Sequence, residues 1–416
     1  MAQQKVWLFR KMKLTGNINV LLTKTSVLDL ADEKASFCSK LLADLGASVI
    51  KVERPGGDPS RRLGPFLKSS SKQKTSLSFE YNNSNKRGIT LDIEQSAGRE
   101  IFLRLIRKTD IIVVTSCPGY MKDMDLGFDA LSEINPGLIM VSVTGFGKKG
   151  PRCRYTSCDL VACAFGGAMH VSGFPSCAPV KPFGEQSYYA ASLYCAVAIL
   201  LALRSRAQSG KGKEIDVSLQ EAVTSTIDHV MVRYFFDRII PKRQGGLHWD
   251  NSFCIFACKD GYILLTLFQQ WETLIGLLDN EGMADDLTEL SWKDEHYRRE
   301  HIDHVIEVLQ RWAMTHTKSE LFELGQLMHF PWAPIQSPSE VLKSPQLEAR
   351  GFFTQMDHHE SDMTVKYPGV PYRFSNTLFH QRRRAPLIGE DNLSVYQKEL
   401  GLSGDQILEL SSSGVI

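Results

Sequence analysis

The sequence predicts an α/β protein with a mostly parallel sheet in its first half and a smaller α+β domain further along the chain. Up to about residue 225, short apolar segments alternate with helical patterns, which is typical of βαβ units. The pattern then changes to a hairpin followed by charged helical sequence. The length of 416 residues, with 43% hydrophobic and 23% charged residues, suits a globular chain of two or three domains.

Five segments of the first half read as strands because they are short, apolar and rich in β-branched residues. They are Ser26–Leu30, Ser48–Val52, Ile89–Leu91, Asp110–Val114 and Leu138–Val143. Helices are predicted between them over Lys34–Leu45 and Ser96–Lys108, with Gly46 suited to end the first helix. Strands separated by helices pair in parallel.

A long apolar helix is predicted over Gln186–Gln208, and it is too apolar all round to lie on a surface. Its longest apolar stretch, Tyr188–Leu203, contains Ser192 and is short for a membrane span, so we expect no membrane association.

The second domain begins with a hairpin over Phe253–Leu267, turning at Lys259–Gly261, and continues as helices over Trp271–Leu327. A last helix is expected at Asp405–Ser411. We therefore place a large Rossmann-like domain at 1–228, a small domain at 229–335, and a C-terminal part at 336–416 that returns to the large domain.

Charge and cysteine content exclude several classes of protein. Lys and Arg (48) balance Asp and Glu (47), so there is no electrostatic reason to expect nucleic acid as a partner. The basic first residues have no apolar run behind them, which predicts no signal peptide and a cytoplasmic protein. The nine cysteines form no CxxC pair, so we expect free thiols and neither disulfides nor a metal site.

The segment Gly145–Gly150 is a literal GxGxxG directly after a predicted strand. Dinucleotide binding would require a helix to begin there and an acidic residue about 20 positions later. Neither is evident in Pro151–Tyr155 or Ala164–His170. A tight turn that needs glycine is the better interpretation, with nucleotide binding as the alternative.

Glu185 is the most suggestive candidate for chemistry. It follows a loop containing Pro182 and Gly184 and directly precedes the long apolar helix. The positive end of the helix dipole stabilises an anion there. Such a carboxylate can act as a covalent nucleophile, or it can simply cap the helix.

Ordered motifs along the chain carry a family resemblance. They are Leu41–Asp58 (LLADLGASVIKVERPGGD), Asn85–Asp92 (NKRGITLD), Asn135–Ile139 with Thr144–Gly147, Gly210–Ser218 (GKGKEIDVS), Lys259–Tyr262, Ala333–Pro338 and Ala385–Glu390. With these motifs the chain resembles the class III coenzyme A transferases, the group of formyl-CoA and carnitine-CoA transferases and related racemases. The similarity runs from about Val27 to Ile416.

The resemblance implies two interlocked ring-like protomers. Each has a Rossmann-like large domain, built from the N-terminal half and the C-terminal tail, and a smaller domain between them. It also implies transfer of CoA from an acyl-CoA donor to a second carboxylic acid, with CoA as substrate and no resident cofactor. An active-site aspartate attacks the thioester, and covalent intermediates preserve the thioester energy.

The family aspartate stands in a Gly-Asp pair, which here is Gly184-Glu185. By resemblance, Glu185 is the catalytic candidate, Arg54 contacts CoA, and Leu91 is an apolar contact for adenine. Glu33 takes the place of a catalytic glutamine of some members. The glutamate side chain is one bond longer than aspartate, which puts the position of its carboxylate in doubt.

Several expected CoA contacts are replaced. The family stretch Asn-Phe-Arg-Pro-Gly reads Thr115–Gly119, and three basic positions are occupied by Glu94, Asp123 and Thr156. Basic side chains attract the negatively charged phosphates of CoA, whereas acidic side chains at the same positions repel them. These losses together indicate a CoA site that has decayed in this chain.

Two functions of different classes remain open. The chain is either a catalytically degenerate subunit that supports a homologous Asp-bearing subunit, or an active homodimeric transferase that uses Glu185. We favour the heteromer, since some arylsuccinate CoA-transferases of the family consist of two related subunits. That resemblance suggests succinyl-CoA as donor, an arylsuccinate such as benzylsuccinate as acceptor, and a place in aromatic compound degradation. A racemase fits less well, because Cys158 stands where racemases have a histidine.

Overall fold

The computed structural model describes residues 21–67, 75–248, 252–358, 363–375 and 383–416. The chain forms two compact units. The first comprises the residues up to Ala168, Lys181–Val232 and Ala349–Ile416, and the second comprises Met169–Val180 and Arg233–Glu348. The sequence predicted domain boundaries after residues 228 and 335. The observed second unit differs in that it extends to Glu348 and also includes Met169–Val180, which lies before the long helix.

The first unit is built on a six-stranded sheet in the order β3-β2-β1-β4-β5-β6, in which every pairing is parallel. The strands are β1 (Ser26–Leu30), β2 (Ser48–Glu53), β3 (Arg87–Thr90), β4 (Ile111–Val114), β5 (Ile139–Thr144) and β6 (Glu214–Ser218). All residues of β4 and β5 are buried, as expected for parallel strands covered on both faces. The predicted α/β class and parallel sheet are confirmed, and β6 is a strand that the prediction missed.

Four helices of this unit were predicted from the sequence, and their observed bounds lie close to the predicted ones. The helices of the first unit are Ser36–Asp44, Leu77–Asn82, Ser96–Ile106, Tyr120–Asp123, Phe128–Ile134, Asp159–Phe165, Gln186–Ser209, Leu219–Thr226 and Gly404–Ser412, with a 3₁₀ turn at Pro59–Arg62 and a π-helical turn at Ser394–Glu399. Three further helices cross or adjoin the unit boundaries: Ala168–Val171, Asp228–Asp237 and Pro345–Ala349.

The long helix, Gln186–Ser209, ends at Gly210, whose φ of +70° is readily adopted only by a residue without a Cβ. One face is buried against the unit, through residues such as Ala191, Cys195 and Ile199. The opposite face leaves four apolar side chains 41–62% exposed: Leu193, Val197, Leu200 and Leu201. The expectation of a fully buried helix therefore holds for only one face within a single chain.

By length and composition, the same helix is the one element of the described residues that is apolar enough to cross a membrane. Core helices of soluble proteins pass the same test, so this feature is weak evidence for a span. The segment that we judged short from the sequence is part of a helix of 24 residues.

The C-terminal segment returns to the edge of the sheet at β3. The backbone amide of Gly88 donates to Asp391 Oδ2 at 2.8 Å, and that of Thr90 donates to Asn392 Oδ1 at 2.9 Å. The Tyr396 hydroxyl donates to the Thr90 carbonyl. A hairpin of β11 (Phe353–His358) and β12 (Met363–Pro368) precedes this segment. The tail is thus part of the large unit, as the resemblance implied.

The second unit contains an antiparallel sheet in the order β10-β9-β8-β7. Its strands are β7 (Leu247–His248), β8 (Phe253–Cys258), β9 (Gly261–Thr266) and β10 (Ala333–Pro334). Strands β8 and β9 form the predicted hairpin, with Cys258 opposite Gly261. The helices are Trp271–Asn280, Glu295–Glu300, Ile302–Ala313, Lys318–Leu327 and Pro338–Leu342, with 3₁₀ turns at Asp285–Thr288 and Leu290–Lys293. Sheet and helices share one apolar core, so the smaller α+β domain is confirmed.

Candidate active site

Glu185 occupies the N-cap position of the long helix, directly after Gly184, whose φ is +82°. Its side chain makes no capping hydrogen bond to the helix. The simplest structural explanation of this residue, a helix-capping acid, is therefore not realised. The carboxylate is half-buried and stays available for another role.

Asp159 fixes the turn that carries Glu185. Its Oδ1 accepts hydrogen bonds from the backbone amide of Ser187 at 2.9 Å and from the Ser187 hydroxyl at 2.7 Å. Its Oδ2 pairs with Lys181 Nζ at 2.6 Å, and Lys181 in turn donates to the Gly184 carbonyl. One buried carboxylate thus holds the chain on both sides of Glu185.

A second loop beside this turn carries Glu33, at the carboxyl end of β1. Lys51, which is fully buried, donates to the Ala31 carbonyl and pairs with Asp58 at 2.9 Å. The backbone amide of Asp32 donates to the Thr115 hydroxyl at 2.9 Å, which links the loop to the end of β4. Thr115, which replaces the asparagine of the family motif, therefore fixes the Glu33 loop.

Burial and acidic neighbours, Glu33 among them, raise the pKa of Glu185. Burial raises the pKa of the Glu185 carboxyl above its usual value, Glu33 and Asp159 raise it further, and Lys181 lowers it. Burial, followed by the neighbouring Asp32, also raises the pKa of Glu33, while Lys34 opposes this shift. Because covalent attack requires the ionised carboxylate, these acidic neighbours work against the effect of the helix dipole on Glu185.

Arg54, predicted to contact CoA, already has two partners. Its Nη2 donates to Glu94 Oε1 at 2.5 Å and to the Tyr120 hydroxyl at 2.8 Å. Glu94 is the acid that stands at one of the family's basic positions. A phosphate that approaches Arg54 must therefore displace Glu94 or lie beside its negative charge.

Leu91, predicted to contact adenine, is 2% exposed and belongs to the core cluster of the large unit. Packing alone accounts for its apolar side chain. Its role as an adenine contact stays a prediction, as does the contact of Arg54 with CoA.

A cavity of about 300 Å³ lies where β4 and β5 end. The carboxyl ends of parallel strands are the usual place for a ligand in an open α/β sheet. Its lining includes three cationic side chains that the motif comparison missed: Lys122, Lys148 and Arg154. Lys122 adjoins Asp123, and Arg154 precedes Thr156 by two residues. Positive charge therefore persists close to two of the positions where the sequence indicated its loss.

The segment Gly145–Gly150 forms a turn, and the next helix that the structure assigns begins only at Asp159. A Cβ built on Gly145 would meet the Cβ of Ser157 at 2.3 Å. Glycine is therefore required here for close packing, and no helix N-terminus follows to hold a pyrophosphate. Within the described ranges, no group of three or more His, Cys, Asp or Glu side chains could hold a metal ion.

A parallel α/β sheet with a ligand-sized cavity at its carboxyl ends is typical of an enzyme that binds a small molecule there. Comparison with known proteins identifies the family. Residues 22–392 match CoA-transferase family III. The chain belongs to this family.

Among characterised relatives, the chain is 32% identical to the succinyl-CoA:(R)-benzylsuccinate CoA-transferase subunit BbsE of Thauera aromatica, over 94% of this chain and 97% of the relative. It is 31% identical to the succinyl-CoA–L-malate CoA-transferase beta subunit of Chloroflexus aurantiacus, over 92% and 94% respectively. The crystal structure of a CAIB/BAIF family protein from Brucella suis superimposes with a TM-score of 0.81 at 28% identity, covering 91% of this chain and 99% of that one.

The sequence pointed to Glu185 but missed the residues that hold it. Asp159 and Lys181 lie 26 and 4 positions away along the chain, and only the fold brings them together. Asp159 stands at the start of a short apolar helix, Asp159–Phe165, which resembles an ordinary helix start. Lys181 was visible within the loop, but nothing in the sequence identified its partner.

Proposed function

We propose that this chain is the supporting, non-catalytic subunit of a heteromeric class III CoA-transferase in the cytoplasm. A homologous subunit that keeps the Gly-Asp pair supplies the nucleophile. The complex moves CoA from an acyl-CoA donor, succinyl-CoA, to a second carboxylic acid of the arylsuccinate class. CoA is a substrate, and no resident cofactor takes part.

The observation that carries this proposal is the engagement of Arg54 with Glu94 and Tyr120. A transfer site must attract the phosphates of CoA. Here the arginine that would bind them, Arg54, is paired with the acidic side chain of Glu94. Glu185, in place of the family aspartate, adds a second departure in the same chain. The first change affects CoA binding and the second the nucleophile, while the described residues form both the parallel sheet and the smaller domain of the family.

The relatives support the substrate and the assembly. Succinyl-CoA stands in the names of both relatives described above, and both are named as subunits. The benzylsuccinate transferase subunit suggests the arylsuccinate acceptor.

The exposed apolar face of the long helix supports assembly. Leu193, Val197, Leu200 and Leu201 recur at helical spacing and form one stripe. Contiguous apolar surface of this kind marks an interaction site. We assign this stripe to the contact with the homologous subunit.

Co-expression with an Asp-bearing homologue tests the proposal. We expect the two chains to purify together as a complex with equal numbers of each, measured by native mass spectrometry. Interlocked protomers bury far more surface than a standard interface, so the chains should not separate on dilution. A monodisperse homodimer that ignores the partner would contradict the proposal.

The second candidate is an active homodimeric transferase with Glu185 as nucleophile. The observation that favours it is the uncapped, half-buried carboxylate in a turn that Asp159 holds rigidly. The racemase alternative gains no support, because Cys158, at the position of the racemase histidine, is an exposed thiol.

A further inference from the structure

Two thiols line the cavity at the ends of β4 and β5. Cys117 is exposed and Cys153 is partly buried, and both are free. The same cavity is lined by Lys122, Lys148 and Arg154. Lys148 is paired with Glu214, whereas Lys122 and Arg154 are exposed and have no ion-pair partner among the described residues.

Free thiols and unpaired cations in one cavity favour reaction with an anionic disulfide. Unpaired cations at the rim of a cavity concentrate anionic ligands. A thiol exchanges with a disulfide when the sulfur atoms can meet, and access is one of the factors that set the rate. Cys117 has that access, and it stands in the Thr115–Gly119 stretch, where the family pattern has an arginine.

We propose that Cys117 is a redox modification site at which this chain forms a mixed disulfide with coenzyme A disulfide. The Cys117 thiolate attacks one sulfur of the disulfide. A bond forms between Cys117 Sγ and that sulfur, the original S–S bond breaks, and the other CoA leaves as a thiolate that takes up the proton lost by the Cys117 thiol. Cys117 is oxidised, one half of the disulfide is reduced, and no further oxidant is needed.

The site selects its disulfide by charge. The phosphates of coenzyme A disulfide bind to Lys122 and Arg154, which bring the sulfur atoms to Cys117. Cys177 is also exposed and free, but it does not line this cavity, so it provides an internal control. Coenzyme A disulfide is chosen because the chain belongs to a CoA-transferase family. The inference does not depend on whether this chain transfers CoA itself.

The test is made on the full chain, in the assembly in which it purifies and without reductant. A Cys153→Ser variant is used, so that no second thiol in the cavity can displace the adduct. The protein is incubated with coenzyme A disulfide or with cystamine, a disulfide that carries amines and no phosphate. Peptide mass mapping then follows the occupancy of Cys117 and Cys177 over time.

We expect coenzyme A disulfide to modify Cys117 at least about tenfold faster than Cys177, and cystamine to show no such preference. High salt, excess 3′,5′-ADP, or the pair of charge reversals Lys122→Glu and Arg154→Glu should each remove the preference. These two side chains are exposed, so the double variant should fold, which circular dichroism verifies. Equal rates at Cys117 and Cys177, or faster reaction of Cys117 with cystamine, would overturn the proposal. If an assembly does not transfer CoA but still forms the adduct at Cys117 with the same preference, the result contradicts the proposed function and leaves the modification site supported.

Discussion

The purified chain alone should transfer CoA from succinyl-CoA to an arylsuccinate at least about a hundredfold more slowly than its complex with the Asp-bearing subunit. A misplacement of about 1 Å costs a positioned nucleophile roughly 10²-fold, and the glutamate side chain is longer by one bond. Arg54 is engaged by Glu94, which weakens binding of the CoA phosphates in addition. Steady-state rates with matched protein concentrations measure the difference.

Substitutions at one position separate the two candidate functions. In the complex, Glu185→Gln should leave turnover within a factor of about two, because the partner's aspartate is the nucleophile. The matched variant Glu185→Asp restores the family residue and tests whether the rest of the site still supports chemistry. Robust turnover by the chain alone that disappears in Glu185→Gln would establish the homodimeric enzyme instead.

Leu201→Glu should weaken assembly with the homologous subunit. Leu201 is 62% exposed in the single chain and lies in the apolar stripe of the long helix. Burying a leucine contributes about 1.5–3 kcal/mol, and an unpaired carboxylate in its place adds a desolvation cost of a few kcal/mol more. Since about 1.4 kcal/mol corresponds to a factor of ten, the affinity should fall by more than about 100-fold.

The control for this substitution is Leu408→Glu in the C-terminal helix, Gly404–Ser412. Leu408 is 70% exposed, so the same change at similar exposure should leave assembly intact. Size-exclusion chromatography with light scattering compares the two variants, and thermal unfolding verifies that both are folded. If both variants assemble equally well, the stripe is not the interface.

Much of the fold was predictable because its signals are local. The buried strands Ser26–Leu30 and Ile111–Val114 are short apolar runs, and the helix Ser96–Ile106 shows helical periodicity. Strand β6, Glu214–Ser218, was missed because it lies at the sheet edge and contains charged residues at Glu214 and Asp216. In the sequence this segment stands out only as part of the family motif Gly210–Ser218.

The candidate site was predictable only in part. The position of Glu185 before an apolar helix is a local pattern, and it was found. The bonds from Asp159 to Ser187, and the pairing of Arg54 with Glu94 across 40 residues, depend on tertiary contacts that periodicity does not contain. The cations of the cavity were not predicted because a family motif refers to fixed positions, here Asp123 and Thr156. Lys122 and Arg154 lie one and two residues before these positions.

The partner subunit, and not this chain, should carry the covalent intermediate. The complex is mixed with succinyl-CoA in the absence of acceptor, so that the nucleophilic carboxylate is converted to its thioester with CoA and succinate is released. Borohydride then reduces this thioester, and the side chain that carried it becomes an alcohol. Peptide mass mapping then locates the reduced residue. We expect the modification on the aspartate of the homologous subunit and none on Glu185. Reduction of Glu185 to the corresponding alcohol would contradict the account and identify this chain as the catalytic one.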